Sequence, residues 1–309
     1  MNNIFICGSL RSGTTLAHLM LNSHPDIYNP GEFDFLFDCL IGHGGIEPSV
    51  DQYICFLKRN RIFKSKSISI DPLCKTYLDV LYSIVNQIQN GKAICLNIHR
   101  NFDLALRYFP DAKFVHLIRD PRDVAKSSIR QGWSGTTYHG VDHWLSSEES
   151  WDRLMDSATF HQVFEFQYEI LIEDTKTTLR HLCQFIGTEF SEDMLGYYRE
   201  SSYSKPDVSL IDQWKRSQTL QEIELVEYKA STIMKKRGYE LRNQYPRSPS
   251  LLHRVQLWLT NKRYKYMFCI QRYGFLLCVM DKMASMLPWL ISTPRYRNRI
   301  HEIQSSHLK

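Results

Sequence analysis

The chain has 309 residues, 43% hydrophobic and 23% charged, with 14 glycines and 11 prolines; at roughly 100–250 residues per domain it holds one large domain or two smaller ones. That composition excludes a disordered, collagen-like or low-complexity chain. The net charge of +5 is unevenly spread: residues 246–309 carry eleven basic residues against Asp281 and Glu302, whereas residues 1–245 carry 27 basic and 31 acidic ones.

The first element is a short strand, Ile4-Phe5-Ile6-Cys7, closed by Gly8. Beyond Gly13, Leu16, Leu19, Met20 and Leu21 recur at helical spacing, so the entry reads strand, tight loop, helix. The apolar runs at 93–98 and 114–118 predict two strands buried on both faces, each leading into polar residues: His99-Arg100-Asn101 and Arg119-Asp120-Pro121-Arg122-Asp123. A fourth strand is expected over 162–166, ahead of Tyr168-Glu169 and a helix over 171–186. Strands alternating with helices predict an α/β chain, a P-loop-type three-layer fold with a mostly parallel central sheet, helices on both faces and a helical C-terminal extension. In such sheets the polar residues after the strands converge on a ligand.

The Pro/Ser segment at 245–250, where the charge balance changes sign, divides the chain into domains 1–245 and 246–309. The second alternates Leu257-Trp258-Leu259, Met267-Phe268-Cys269-Ile270 and 275–280 with Arg and Lys, as a basic amphipathic helix pair does. Its face touches anionic lipid or a polyanion, or else is simply solvated. No nucleic-acid-binding motif accompanies the charge. The apolar stretch 273–291 is broken by Asp281, Lys282 and Pro288, so no spanning helix is expected. No export signal opens the chain and the eight cysteines lack a C-x-x-C pair; they are expected as buried hydrophobes in a reducing, cytoplasmic compartment, with peripheral membrane association through the tail.

Gly8-Ser9-Leu10-Arg11-Ser12-Gly13-Thr14-Thr15 has the spacing of the phosphate-binding loop G-x-x-x-x-G-K-[ST], with Thr14 in place of the lysine. Backbone N–H groups, the helix dipole and the Thr15 hydroxyl still face an anion. The ammonium that reaches the β/γ-phosphates of ATP or GTP is missing, and Arg11 supplies a fork-shaped cation suited to phosphate or sulfate. Arg119, at a strand end, and Ser127, two turns into the next helix, can hold a second phosphate; alternatively Arg119 pairs with Asp120 or Asp123.

These two motifs together resemble the sulfotransferases that use 3′-phosphoadenosine 5′-phosphosulfate (PAPS), in particular the tyrosylprotein and bacterial branch, over residues 3–240. Arg11-Ser12-Gly13-Thr14-Thr15 is similar to that family's 5′-phosphosulfate loop. Arg119 and Ser127 match its 3′-phosphate pair, and Phe166-Gln167-Tyr168-Glu169-Ile170-Leu171 resembles its segment near adenosine, implying Tyr168 there. Gln213-Trp214-Lys215-Arg216 and Arg237-Gly238-Tyr239-Glu240 resemble further bacterial segments. The resemblance implies metal-free transfer of a sulfonate group from PAPS to a hydroxyl or amine. Glu32, after Gly31, is its expected base, with Asp34 and His99 as rivals, and Arg11 stabilises the leaving group.

One departure stands out. Asn97-Ile98-His99-Arg100-Asn101 places Asn97 where the family commonly has a lysine, so Arg11, Arg100 or another cation must replace it, or the chain is a non-catalytic PAPS-binding scaffold. A kinase or NTPase with a displaced lysine is the third reading. Phe33, Phe35, Phe37, Trp133, Tyr138, His139 and Trp144 line an acceptor pocket for a sugar, lipid headgroup or phenol, or belong to the core.

Overall fold

The apolar runs form strands in the computed structural model, which describes residues 3–42, 46–199, 201, 203–286, 299, 300 and 303. The tail beyond 286 otherwise lies outside the described residues. In chain order the elements are β1 (Ile4–Cys7), α1 (Thr14–Asn22), β2 (Ile27–Tyr28), α2 (Phe35–Gly42), α3 (Val50–Arg59), α4 (Arg61–Ser65), α5 (Tyr77–Gln87), β3 (Ala93–Ile98), α6 (Phe102–Tyr108), β4 (Lys113–Ile118), α7 (Pro121–Arg130), α8 (Thr137–Gly140), α9 (Asp142–Met155), β5 (Val163–Gln167), α10 (Tyr168–Glu173) and α11 (Thr175–Ile186). There follow α12 (Trp214–Ser217), α13 (Leu220–Lys236), α14 (Leu251–Tyr273) and α15 (Phe275–Met286). They divide into two compact units, one of Met1–Arg119 with His143–Ile211, the other of Asp120–Asp142 with Asp212–Lys309.

The first unit holds the described sheet, ordered β2-β3-β1-β4-β5 with every pairing parallel. Side-chain alternation gives it two faces. Phe5, Cys7, Leu96, Ile98 and Phe114 share one apolar cluster with α2, α3, α5, α6 and α9; Ile4, Ile6, Cys95, Val115 and Leu117 share another with α1, α10 and α11. Burial on both faces is why these strands read as unbroken apolar runs. Phe33, Phe35 and Phe37 lie in the first cluster and Trp144 is fully buried, so these four aromatics are core and line no acceptor pocket. The expected helix at 171–186 is two helices: Asp174 accepts a hydrogen bond from the Thr177 N–H and caps α11.

On the first face His116 is fully buried, its ring stacked 4.1 Å from Trp151, with Glu148 3.3 Å and Glu165 2.8 Å from its nitrogens. Burial alone would lower its proton affinity, but the two carboxylates outweigh it and raise the pKa.

Arg122 organises the polar interior of the second unit. It hydrogen-bonds Asp120 and Glu227, and its guanidinium carbon lies 3.6 Å from the centre of the Trp214 ring. All four side chains are buried, so these charges are paired where water cannot solvate them. Helix α14 docks through Leu257, Asn261, Tyr264 and Phe268, with spacings of four, three and four. Asn261 accepts from the Gly135 N–H at 2.6 Å, Tyr264 donates to the Ile129 carbonyl at 3.1 Å, and Phe268 fills the space a Cβ on Gly132 would need. The turn at Gly274, with φ +85, folds α15 back and joins Cys269 to Cys278 in a disulfide. These two cysteines, nine residues apart across the Gly274 turn, are thus paired and not separate buried hydrophobes.

Candidate active site

The register of the sheet assembles the site. Cys7 lies opposite Ile98 on β3 and His116 on β4, so the segments after β1, β3 and β4 leave the same edge. The chain crosses β1 between β3 and β4, which makes the loop after β1 the point where a crevice opens in a parallel sheet.

That loop needs both of its glycines. A Cβ on Gly8 would stand 2.7 Å from the Leu117 carbonyl oxygen, and one on Gly13 would stand 2.4 Å from the Tyr168 ring. Gly13 has φ +97 and Arg11 has φ +73, a left-handed conformation that costs a residue with a side chain about 1–3 kcal/mol. No side chain caps α1 and no acidic residue lies in its first turn, so its N–H groups and dipole present positive charge at the loop. Arg11 and Thr15 are exposed there, while Ser12 is buried 3.0 Å from the Ser9 hydroxyl.

Thr14, which holds the position of the missing lysine, is buried and turned inward, its hydroxyl 3.2 Å from His99 Nε2. Asp34 accepts from His99 at Nδ1, 2.7 Å away, and at the backbone N–H, 2.8 Å away. Burial alone would lower the His99 pKa, but Asp34 raises it; burial would raise that of Asp34, but His99 and then Arg100 lower it. Both ring nitrogens of His99 therefore have protein partners.

Arg119 follows β4 and Tyr168 follows β5, and the pairing of Ile118 with Gln167 brings them out side by side. The Arg119 guanidinium lies 4.2 Å from the centre of the Tyr168 ring and donates to the carbonyls of Arg11, at 3.3 Å, and Leu210, at 3.1 Å. Trp144 donates to the Arg119 carbonyl at 3.0 Å. Ser127 stands on α7 in the second unit.

Glu32 is exposed, and its backbone bridges to Asn97 at the end of β3. Asn97 is buried, accepting from Asn29 at 2.9 Å and donating to the Thr14 carbonyl at 3.3 Å, so it braces the loop and brings no charge. Arg100 is bidentate to Asp38, at 2.7 and 2.6 Å, which neutralises that cation. The sequence reading missed Lys66. It donates to the Pro30 carbonyl, lies 5.1 Å from the Phe33 ring centre and stands 3.5 Å from where a Cβ on Gly31 would be. Burial lowers its pKa, opposed by Glu32. Lys66 follows α4, so three helices lie between it and Glu32, and no spacing rule ties the two together.

The family model described as the sulfotransferase family matches residues 3–192, which run from β1 to the segment after α11. The chain belongs to the sulfotransferase family. Among its curated relatives, an uncharacterized protein of Aquifex aeolicus is 29% identical over 217 residues, a match covering 63% of this chain and 27% of that protein. A putative protein-tyrosine sulfotransferase of Caenorhabditis briggsae is 24% identical, covering 63% of this chain and 69% of the relative. The chain thus spans about a quarter of the first relative's length. The sulfotransferase domain from the curacin biosynthetic pathway has the same fold, with a TM-score of 0.59 at 18% identity over 78% of this chain and 98% of that domain.

Proposed function

We propose that this sulfotransferase-family protein transfers a sulfonate group from PAPS to a hydroxyl or amine of an acceptor such as a carbohydrate, a lipid or another small molecule. The observation that carries the reading is the loop of residues 8–15 with Tyr168 and Arg119 packed on it. Its donor set suits the anion: a helix N-terminus free of acidic residues, a guanidinium at Arg11, a hydroxyl at Thr15 and the Arg119 guanidinium over an aromatic ring.

When bound, PAPS supplies a sulfonate activated by a phosphate leaving group. Arg11 and the loop N–H groups would hold its phosphosulfate end and offset the negative charge that transfer leaves there. Glu32 takes the proton from the acceptor as the new bond to sulfur forms; a positioned base contributes about 10²–10⁴ in rate. Its exposure supports this role over the two rivals, because Asp34 is committed to His99 and His99 to Thr14. We assign His99 to holding Thr14 and the loop, and Lys66 to the cationic role that Asn97 does not fill. Arg119 and Tyr168 hold the adenosine bisphosphate end, whereas the assignment of Ser127 rests on the family motif alone.

The kinase reading lacks its cation: Thr14 stands at the lysine position and is directed at His99. Thermal unfolding with adenosine 3′,5′-bisphosphate, and separately with ATP and Mg²⁺, tests the proposal. A ligand at a hundredfold excess over its Kd stabilises by about 2.7 kcal/mol. Stabilisation by the bisphosphate, lost in Arg119→Ala, is expected; stabilisation by ATP and Mg²⁺ alone refutes it.

A further inference from the structure

Helix α14 has two apolar faces, and its fold explains only one. Leu257, Asn261, Tyr264 and Phe268 dock it within its unit. At 100° per residue, Trp258, Leu251, Val255, Tyr266, Leu259 and Leu252 occupy an arc about 100–220° around from Leu257. All six are exposed, Leu251 and Leu252 by 78% and 85%. Phe275 and Leu276, at the start of α15, are exposed as well. Burying one such residue is worth more than leaving it in water, and a contiguous stripe of them marks an interaction surface.

Charge identifies what covers the stripe. From 247 to 280 the sequence has Arg247, Arg254, Lys262, Arg263, Lys265 and Arg272 and no acidic residue. On the same projection Lys265 flanks the apolar arc on one side and Arg263 on the other, with Lys262 within it; Arg254 instead donates to the Pro249 carbonyl, Ser248 and Tyr228, and Arg272 lies over the Phe268 ring. Long cationic side chains beside an apolar stripe reach outward to headgroups while the stripe enters the acyl boundary, and Trp and Tyr suit that boundary. A second copy of the chain is a poor occupant, because its α14 would bring a like-charged surface against this one. A soluble polyanion would use the cations and leave the stripe in water. No helix among the described residues is long and apolar enough to cross a membrane.

We infer that the exposed face of α14 lies on the surface of a lipid bilayer bearing anionic headgroups. The proposal is independent of the sulfonate-transfer reading. It would keep the protein on a membrane without spanning it.

Co-sedimentation of the full chain with vesicles of phosphatidylcholine containing one-third phosphatidylglycerol, beside vesicles of phosphatidylcholine alone, tests it. The chain is expected to partition onto the anionic vesicles and more weakly onto the neutral ones. Lys262→Gln and Lys265→Gln should each lower partitioning on anionic vesicles by about fivefold at low salt. Trp258→Ser with Leu259→Ser should release the chain from both, with circular dichroism and thermal unfolding unchanged because both side chains are exposed. The idea is overturned if the chain binds neither vesicle, or if the serine variant still binds as well as the parent. It is equally overturned if the parent is a dimer that the serine variant dissociates, or if heparin, a soluble polyanion, competes completely and the serine variant binds heparin undiminished.

Discussion

The Tyr168 ring fills the space that a side chain on Gly13 would need, coming within 2.4 Å of that Cβ position. The same ring carries the Arg119 guanidinium, so a glycine, a tyrosine and an arginine from the ends of β1, β5 and β4 form one stack.

Gly13→Ala meets two penalties, the left-handed φ of +97 and the overlap with Tyr168. Gly187 has φ +99 with nothing within 4 Å of its Cβ position, so Gly187→Ala meets only the first. We expect Gly187→Ala to cost about 1–2 kcal/mol and Gly13→Ala clearly more, with loss of stabilisation by adenosine 3′,5′-bisphosphate. Urea denaturation of both variants checks this; equal losses would show that the ring yields to the methyl group.

Arg119→Ala should weaken bisphosphate binding ten- to a hundredfold, about 1.4–2.8 kcal/mol. Arg119→Lys should recover little, because an ammonium neither stacks flat on Tyr168 nor donates to two carbonyls in a fixed fork. Isothermal titration of the three proteins measures it, and full recovery by lysine would remove the stacking argument.

Asp34 and His99 make stability pH-dependent in two directions. The lowered carboxyl of Asp34 contributes stability above its unfolded value, about 3.9, that is lost as pH falls through the lower folded value. The raised imidazole of His99 contributes below about 6.5 and loses its contribution as pH rises through the higher folded value. The pair therefore stabilises most between about pH 4 and 6.5. Asp34→Asn should cost about 3 kcal/mol in that window and flatten the profile. Urea midpoints across the acidic and neutral range test it, and an unchanged profile would mean the pair does not set the dependence.

Glu32→Gln should cut turnover by about 10²–10⁴ while leaving bisphosphate affinity unchanged, read by transfer assays against titration. A variant that keeps its turnover would exclude Glu32 as the base.

Lys66→Met should lower kcat more than it changes bisphosphate binding, with partial rescue by Lys66→Arg. Because burial lowers the Lys66 pKa and Glu32 opposes that, the proposed transfer activity of the parent protein should fall on the alkaline side below the usual lysine range. The arginine variant should retain activity to higher pH. A parent profile that Lys66→Arg leaves in place would assign the alkaline limb to another group.

The sequence by itself determined β1, β3 and β4, because strands covered on both faces must be apolar at every position. It also determined the loop of residues 8–15, because glycines at 8 and 13 bracket the turn from strand to helix and Thr14 stands where the phosphate-loop spacing places a lysine. Both are local requirements, written within a few residues. Tertiary structure decided the rest: Asp34 meets His99 across 65 positions, Lys66 comes beside Pro30 across 36, and Arg119 reaches Tyr168 only through the register of β4 and β5. It also turned Phe33, Phe35 and Phe37 into the core and left Trp258 and Leu259 outside it. An aromatic side chain gains from burial in either place, and only the packing of the whole chain fixes which surface remains to be covered.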